Sequence, residues 1–343
     1  MVKLDDLLKA QEKSLLGKIK TYKTVAREIK QHLDKKPEDW GRFQSDFNGE
    51  LNGIFREIML FEKQQLAKGN EAGVYKLKNL FISRLRKEFL HGDYVIRSLN
   101  KPYGYAGDFK IIDDIYQNDP QTQGFGRLFD NYYQAAAISV AVRNRKEDFK
   151  KIILSAVKKH GHSTMRIMDL ASGPCRELQE LLKGDLRDFP EVFFDCYDQD
   201  ENAWDHAKNL LREDARRVTF VKENVVRIAL KKNIETQMPQ RYDLIYSTGL
   251  FDYLDKRIAK RLVENLRKLL KPDGVLAISD VREKYKNPSV HFMEWVGDWN
   301  LVYRPDDEFR QIFIDAGFSE KELSFGTDQQ GVLQYIIGTK TAG

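Results

Sequence analysis

Apolar positions at helical spacing dominate the start of the chain. Leu4, Leu8, Leu15, Ile19, Tyr22, Ile29 and Leu33 recur in the rhythm of a helix with one buried face. Pro37 marks a break, after which Trp40, Phe43, Phe47, Leu51, Ile54, Phe55 and Ile58 repeat the pattern. A connection near Gly69 to Gly73 leads to a third run with Leu77, Leu80, Phe81, Leu85 and Phe89. From Val2 to about His91 we therefore expect three long amphipathic helices. They bury their faces on one another as an antiparallel bundle, or leave one face for a partner. The aromatic stripe reads as core. Helical character resumes through Ile111, Ile112, Ile115 and Tyr116, and again from Arg127 to Ile153.

Beyond that point the pattern shortens into apolar runs bounded by small or polar residues, the mark of buried strands. Arg166 to Leu170, Val192 to Tyr197, Val218 to Val221, Tyr242 to Tyr246 and Gly274 to Asp280 read as five strands, and Val332 to Thr339 as a last one. The first runs into Ala171-Ser172-Gly173-Pro174-Cys175 and then into the helical period of Glu177, Leu178, Leu181 and Leu182. Such a strand, small-residue loop and helix start brings backbone N–H groups and an unobstructed wall to a ligand of adenosine type. Taken alone, D-L-A-S-G-P-C keeps only Gly173 of a glycine-rich fingerprint and fits an ordinary turn of an α/β domain equally well. The second strand then ends in Asp198-Gln199-Asp200, where an acid meets ribose hydroxyls in a nucleoside-binding unit. The third ends in Glu223-Asn224, and the fourth runs into Ser247-Thr248-Gly249.

The series D-L-A-S-G-P, Y-D-Q-D, K-E-N-V, Y-D-L-I-Y-S-T-G-L-F-D-Y-L and L-K-P-D-G-V-L, in this order, resembles the class I S-adenosylmethionine (SAM)-dependent methyltransferases over roughly residues 150–340. The resemblance implies an α/β fold: a Rossmann-like, mostly parallel sheet with an antiparallel last strand, preceded by an N-terminal helical bundle domain. The expected division is 1–125 for the bundle and lid region and 126–343 for the methyltransferase domain. K-P-Y-G-Y-A-G-D and F-M-E-W-V-G-D-W-N-L-V-Y-R narrow the resemblance to bacterial methyltransferases of 3-hydroxypalmitic acid methyl ester synthesis, from about Lys101 onward. It departs at Asp280-Val281-Arg282-Glu283, where those relatives carry an N-F-H-P-like segment. That departure bears on the acceptor and not on methyl transfer.

The resemblance assigns roles. Asp169 orders the loop and meets the methionine amino group, with Ala171, Ser172 and Gly173 beside it. Asp198 takes the ribose, flanked by Gln199, while Asp200 competes for that role or caps the next helix. Asn224, followed by Val225, accepts from adenine through its amide oxygen. Ser247, Thr248 and Gly249 face the sulfonium, since ligands of open α/β sheets bind beyond the strand C-termini. A carboxylate acceptor is ionised at neutral pH and needs a cation more than a base, with Arg304 as candidate unless it is a surface arginine capping Trp299 to Tyr303. A hydroxyl or amine needs a base, for which His291 with Glu294 are first in line. Phe251, Tyr253, Trp299 and Tyr303 are candidate acceptor walls, although several belong in any core. The loop from Lys101 to Asp108 is shaped by Pro102, Gly104 and Gly107. It reads as a structured turn or as a lid over the cofactor, with Tyr105 a catalytic candidate, Asp108 a cofactor contact and Tyr103 a substrate contact.

Composition alters this picture little. No apolar run approaches ~20 residues and no signal-peptide pattern opens the chain, so we expect a cytoplasmic protein without a membrane span. The two cysteines, Cys175 and Cys196, make neither a disulfide framework nor a zinc site on their own, and no metal is expected. The 57 basic and 52 acidic residues nearly balance at a net +5. Without an aromatic-interleaved basic stripe they predict no nucleic-acid partner. The expected partner is a small molecule, with a homo-oligomer compatible. The alternative of another class is a SAM-binding sensor or scaffold that recruits a partner through its helical bundle.

Overall fold

The computed structural model of the protein describes residues 4–341. Val2, where the predicted helical stretch begins, and the side chains of Leu4 and Leu8 lie outside the described residues. Two compact units emerge. One runs to Ser139 and takes back Pro288–Asn300, and the other comprises Val140–Asn287 and continues from Leu301.

The first unit contains α1 (Leu4–Leu33), α2 (Gln44–Leu66), α3 (Glu71–Leu80), α4 (Asp93–Asn100), α5 (Phe109–Gln117) and α6 (Gly124–Ala135). The third predicted run is not one helix. After α3 the backbone widens into a π-helical turn over Phe81–Leu85 and tightens into a 3-10 turn over Arg86–Phe89. This change of pitch turns both Phe81 and Phe89 inward, where their rings stack with centroids 5.5 Å apart. The aromatic stripe is indeed core: Tyr22 stacks on Phe89 at 5.1 Å, and Phe55 meets Phe81 and Phe89 at 6.2 and 5.6 Å. The compact units divide after Ser139, and Phe125 and Phe129 of α6 pack edge-on against Phe47 at 5.9 and 4.8 Å.

The segment Pro288–Asn300 returns to this unit through a second π-helical turn, Phe292–Val296. Phe292 lies 5.4 Å from Phe55, and the fully buried Trp295 lies 5.5 Å from Phe81.

α7 (Ala137–His160) leads into the second unit, which alternates β1 (Met165–Leu170), α8 (Arg176–Lys183), β2 (Val192–Asp198), α9 (Glu201–Leu211), β3 (Val218–Lys222), α10 (Val225–Leu230), α11 (Ile234–Gln237), β4 (Tyr242–Thr248), α12 (Lys256–Leu269) and β5 (Leu270–Val281). α13 (Asp306–Asp315), β6 (Leu323–Thr327) and β7 (Leu333–Thr339) follow. The seven strands lie in the order β3-β2-β1-β4-β5-β7-β6. β1 to β5 are parallel, while β7 runs antiparallel to β5 and β6 antiparallel to β7. The five parallel strands fall where the sequence predicts them. The last strand is antiparallel as expected but is not the edge; β6 lies outside it. L-S-F-G-T shows no alternation to betray a strand, since four of its five residues are exposed, Phe325 by 55%.

α12 covers the sheet with Ala259, Leu262, Val263, Leu266 and Leu269, spaced as one helical face against Ile245 and Leu276. Burying each leucine contributes about 2 kcal/mol. Among the described residues no helix is long and apolar enough to cross a membrane. The order of strands matters most for function: β1 is flanked by β2 on one side and β4 on the other, so the chain reverses direction there and a crevice opens beyond the C-termini of β1 and β4.

Candidate active site

The loop after β1 has an unusual backbone. Ala171, Gly173 and Cys175 have φ of 58°, 54° and 52°, so three alternate residues are left-handed and two of them carry side chains. Each such non-glycine residue costs on the order of 1 kcal/mol, and strain of this kind concentrates at ligand sites. The loop is held from the neighbouring strand: the N–H groups of Ala171 and Ser172 both donate to the carbonyl of Tyr197, at 2.8 and 3.2 Å. The Gly173 N–H donates to Asp198 Oδ2 at 2.9 Å, and the Asp200 N–H to Asp198 Oδ1 at 2.9 Å. A side chain at Gly173 would meet no protein atom within 4 Å. The glycine thus leaves room on the outer side of the loop for something other than protein.

Beneath the loop sits an acidic cluster. Asp169 is buried, and its Oδ2 has no partner among the described residues; the same holds for Ser172 Oγ. Burial, reinforced by Glu177, pushes the Asp169 carboxyl well above the usual range. Burial likewise raises Glu177, whose Oε1 accepts from the Tyr246 hydroxyl at 3.2 Å. A cationic group arriving at Asp169 would relieve this cost, as the amino group of SAM can. The residues present therefore fit that molecule: a carboxylate with an unused oxygen, a free hydroxyl, an open glycine wall and an acid at the next strand end.

Asp198 stands at the end of β2 beside that wall. Asp200 is a helix cap, its side chain accepting from Asn202 N at 2.9 Å at the start of α9. Asn224 caps α10, its Oδ1 accepting from Val226 N at 2.9 Å, and its amide donates to Gln199 Oε1 at 2.8 Å. The amide oxygen expected to face adenine is thus already engaged, and Asn224 and Gln199 form one rim with Val225. Ser247 does not face outward: it is fully buried and its hydroxyl donates to the Leu170 carbonyl at 2.6 Å, tying β4 to β1. Thr248 and Gly249, half-buried, are the outward part of that strand end.

A second charged cluster underlies this end, and the sequence does not announce it. Arg145 of α7 is buried; a side chain on Gly249, at φ +109°, would lie 3.0 Å from its Nη1 and Nη2. Its Nη1 is 3.8 Å from Asp252 Oδ2, in the turn after β4. Arg304, also buried, donates from Nη1 to Asp280 Oδ2 at 2.9 Å and to the Phe251 carbonyl at 2.9 Å, and from Nη2 to the Leu254 carbonyl. Arg304 thus fixes the 251–254 turn against β5 instead of reaching into open space. Burial and the nearby Asp252 push Asp280 well above the ordinary carboxylate range. No local pattern around R-N-R-K distinguishes Arg145 from a surface arginine; only the fold buries it. Phe251 is fully buried in the sheet core, whereas Tyr253 is 43% exposed on the same turn and Tyr303 is half-buried.

The remaining candidates belong to the helical unit. His291 is fully buried with Nε2 2.6 Å from Glu62 Oε2, and Glu294 and Trp299 are buried nearby in sequence. Asp108 caps α5, accepting from Lys110 N and Ile111 N at 3.0 Å, and pairs with Arg97 at 3.0 Å. Tyr103 is 40% exposed, packed on Phe109 at 4.8 Å, and Tyr105 is half-buried.

Residues 168–276 match the family model described as a methyltransferase domain. Among curated proteins nothing matches. Of solved structures, a possible exported protein from Bordetella parapertussis is similar at 19% identity and a TM-score of 0.59, over 77% of this chain and 96% of that one. This likeness is one of fold. Weaker similarities include magnesium protoporphyrin IX methyltransferase from Synechocystis (12% identity, TM-score 0.49, 73% of this chain and all of that one). Another is an O-methyltransferase family protein from Burkholderia thailandensis (18%, 0.42, 60% of each chain). With the sheet order, the fitted loop and the domain match in agreement, the chain is a SAM-dependent methyltransferase of Rossmann-like class I fold.

Proposed function

We propose that the acceptor is a small apolar molecule of fatty-acid type, methylated on its carboxylate or hydroxyl, with 3-hydroxypalmitic acid the first compound to test. The observation that carries this reading is the Arg145 guanidinium set against Gly249 at the reacting end of the sheet. The guanidinium faces Asp252 Oδ2 at 3.8 Å and sets both terminal nitrogens against Gly249, a donor geometry that suits an oxygen acceptor better than an ammonium.

Bound SAM supplies a methyl group already activated by its sulfonium. The chain then has to hold the cofactor and align and desolvate the nucleophile. Asp169, Ser172 and Gly173 hold the methionine end in this reading, Asp198 the ribose, and Gln199, Asn224 and Val225 the adenine rim. Thr248 and Gly249 line the methyl. Arg145 orients the acceptor carboxylate, and Arg304 is a positioning residue that keeps the 251–254 turn in place. Tyr253 offers the exposed aromatic surface of that turn. A carboxylate needs no base, and His291, hydrogen-bonded to Glu62, is assigned with Glu294 to the architecture of the helical unit. Tyr105 and Asp108 remain candidates within the helical unit, Asp108 by ordering α5.

The test is incubation with methyl-labelled SAM and pools of carboxylate, hydroxyl and amine acceptors, followed by mass analysis. A labelled methyl ester or ether supports the proposal, together with an Arg145→Leu variant that raises acceptor KM roughly tenfold or more at unchanged S-adenosylhomocysteine affinity. Exclusive amine methylation overturns it. Cofactor binding without any product would favour the sensor reading.

A further inference from the structure

The acidic cluster beneath the cofactor loop contains the chain's two thiols. Cys175 closes the loop at the start of α8, Cys196 lies on β2, and their sulfurs are 3.9 Å apart, both fully buried. Two thiolates on one tetrahedral zinc ion, with Zn–S of about 2.3 Å, stand about 3.8 Å apart. The thiol pair therefore already has the separation that a shared ion imposes. A disulfide needs about 2.0 Å and would require the strained loop to move.

The third group is Asp169. One of its oxygens lies within 4.8 Å of both sulfurs, making the three a compact set of ligand atoms from three different segments. Its Oδ2 is buried without a hydrogen-bond partner among the described residues, an unused acceptor in a place where such groups are rarely left unmade. Two soft sulfur donors and one carboxylate suit zinc or cadmium and exclude magnesium or calcium. Three protein ligands with one open position are the count of an exchangeable site.

We propose that Asp169, Cys175 and Cys196 form a binding site for a thiophilic divalent cation, and that this cation and the cofactor occupy the chain in alternation. The alternation follows from the shared carboxylate: Asp169 cannot serve the ion and the methionine amino group together. This half of the proposal rests on the cofactor placement above, whereas the metal site does not.

The experiment is titration of the purified full chain with cadmium alone, read by the ultraviolet thiolate-to-cadmium absorption, with S-adenosylhomocysteine binding followed separately by calorimetry. One cadmium per chain with a thiolate band is expected, lost on adding S-adenosylhomocysteine. Cys196→Ala should weaken cadmium on the order of 100-fold or more while S-adenosylhomocysteine still binds within about twofold, because Cys196, fully buried on β2, is not among the residues assigned to the cofactor. Should the alanine variant fail to fold, the isosteric Cys196→Ser carries the same expectation. A missing thiolate band, or one that persists in the Cys196 variant, overturns the site. A band that survives saturating S-adenosylhomocysteine overturns the alternation alone. Calorimetry showing no S-adenosylhomocysteine binding to metal-free protein contradicts the cofactor placement and leaves the metal site standing.

Discussion

Gly249→Ala is the sharpest probe of the C-terminal end of β4. The residue has φ +109°, a conformation that costs a side-chain-bearing residue on the order of 1–3 kcal/mol. The new methyl would also stand 3.0 Å from both terminal nitrogens of Arg145 and 3.3 Å from its Cζ, closer than ordinary van der Waals contact. The guanidinium cannot retreat freely. It is 4% exposed and faces Asp252, itself 7% exposed, at 3.8 Å. Breaking a buried pair outright costs about 3–5 kcal/mol, so a forced displacement adds a fraction of that. The sum is about 2–4 kcal/mol, which for a unit of this size lowers the melting temperature by roughly 5–15 °C. Gly173→Ala is the contrasting control. It carries a positive φ of 54° but meets nothing within 4 Å, so it should cost about 1 kcal/mol of stability and act mainly on cofactor affinity. Calorimetric melting and S-adenosylhomocysteine titration of both variants separate the two effects. A Gly249→Ala protein that melts within 2 °C of the parent, a loss of less than about 1 kcal/mol, would refute the assigned contact with Arg145.

Asp198→Ala should weaken S-adenosylhomocysteine by on the order of 10-fold or more through a lost charged hydrogen bond, whereas Asp200→Ala, a cap of α9, should cost about 1 kcal/mol of stability at unchanged affinity by calorimetry. Glu322 gives a pH signature. Burial opposes its charge, but hydrogen bonds from Ser319 and Thr341 outweigh this and hold its carboxyl at about 2, against an ordinary 4.5. A depressed pKa means stability that is complete above the ordinary value and lost as pH falls towards 2. Up to about 3 kcal/mol is at stake, so Glu322→Gln should flatten the acid limb of a urea-melt series below pH 5. If the limb keeps its slope, the carboxylate is not the group that titrates. Asp108→Ala should destabilise α5 by about 1–2 kcal/mol through loss of its cap, and Tyr105→Phe should lower turnover without changing the melting temperature. Equal turnover per folded molecule in both variants would take the loop out of catalysis.

The parallel strands were legible because buried strands of an α/β sheet are short continuous apolar runs, and the small-residue loop was legible because only Gly173 opens it. β6 was not, since an exposed edge strand needs no apolar alternation. Asp198 and Asp200 looked alike in sequence; backbone geometry separates them, one bridging two loops and the other starting a helix. Arg145 and Arg304 show the larger gap. A buried arginine is defined by what surrounds it, and part of those surroundings comes from residues more than fifty positions away, such as Asp252 for Arg145 and the Phe251 carbonyl for Arg304. The return of Pro288–Asn300 to the helical unit was hidden for the same reason, since F-M-E-W-V reads as any apolar run until Phe55 and Phe81 are known to receive it.

That return sets the order in which the protein can be finished as it leaves the ribosome. The first helices emerge early, but the rings that complete their core, Phe292 and Trp295, are not made until most of the chain has been translated. Until then Phe55, Phe81 and Glu62 wait without Phe292, Trp295 and His291. The helical unit is first in sequence and cannot be first to reach its native state. Cutting the gene near Ser139 would therefore yield an unfinished bundle with exposed apolar surface, prone to aggregate. A fragment starting near Arg127 would in turn carry an orphaned Phe292–Val296 segment. Supplying the two pieces together, rather than either alone, is the route by which a split form of this enzyme would regain its fold.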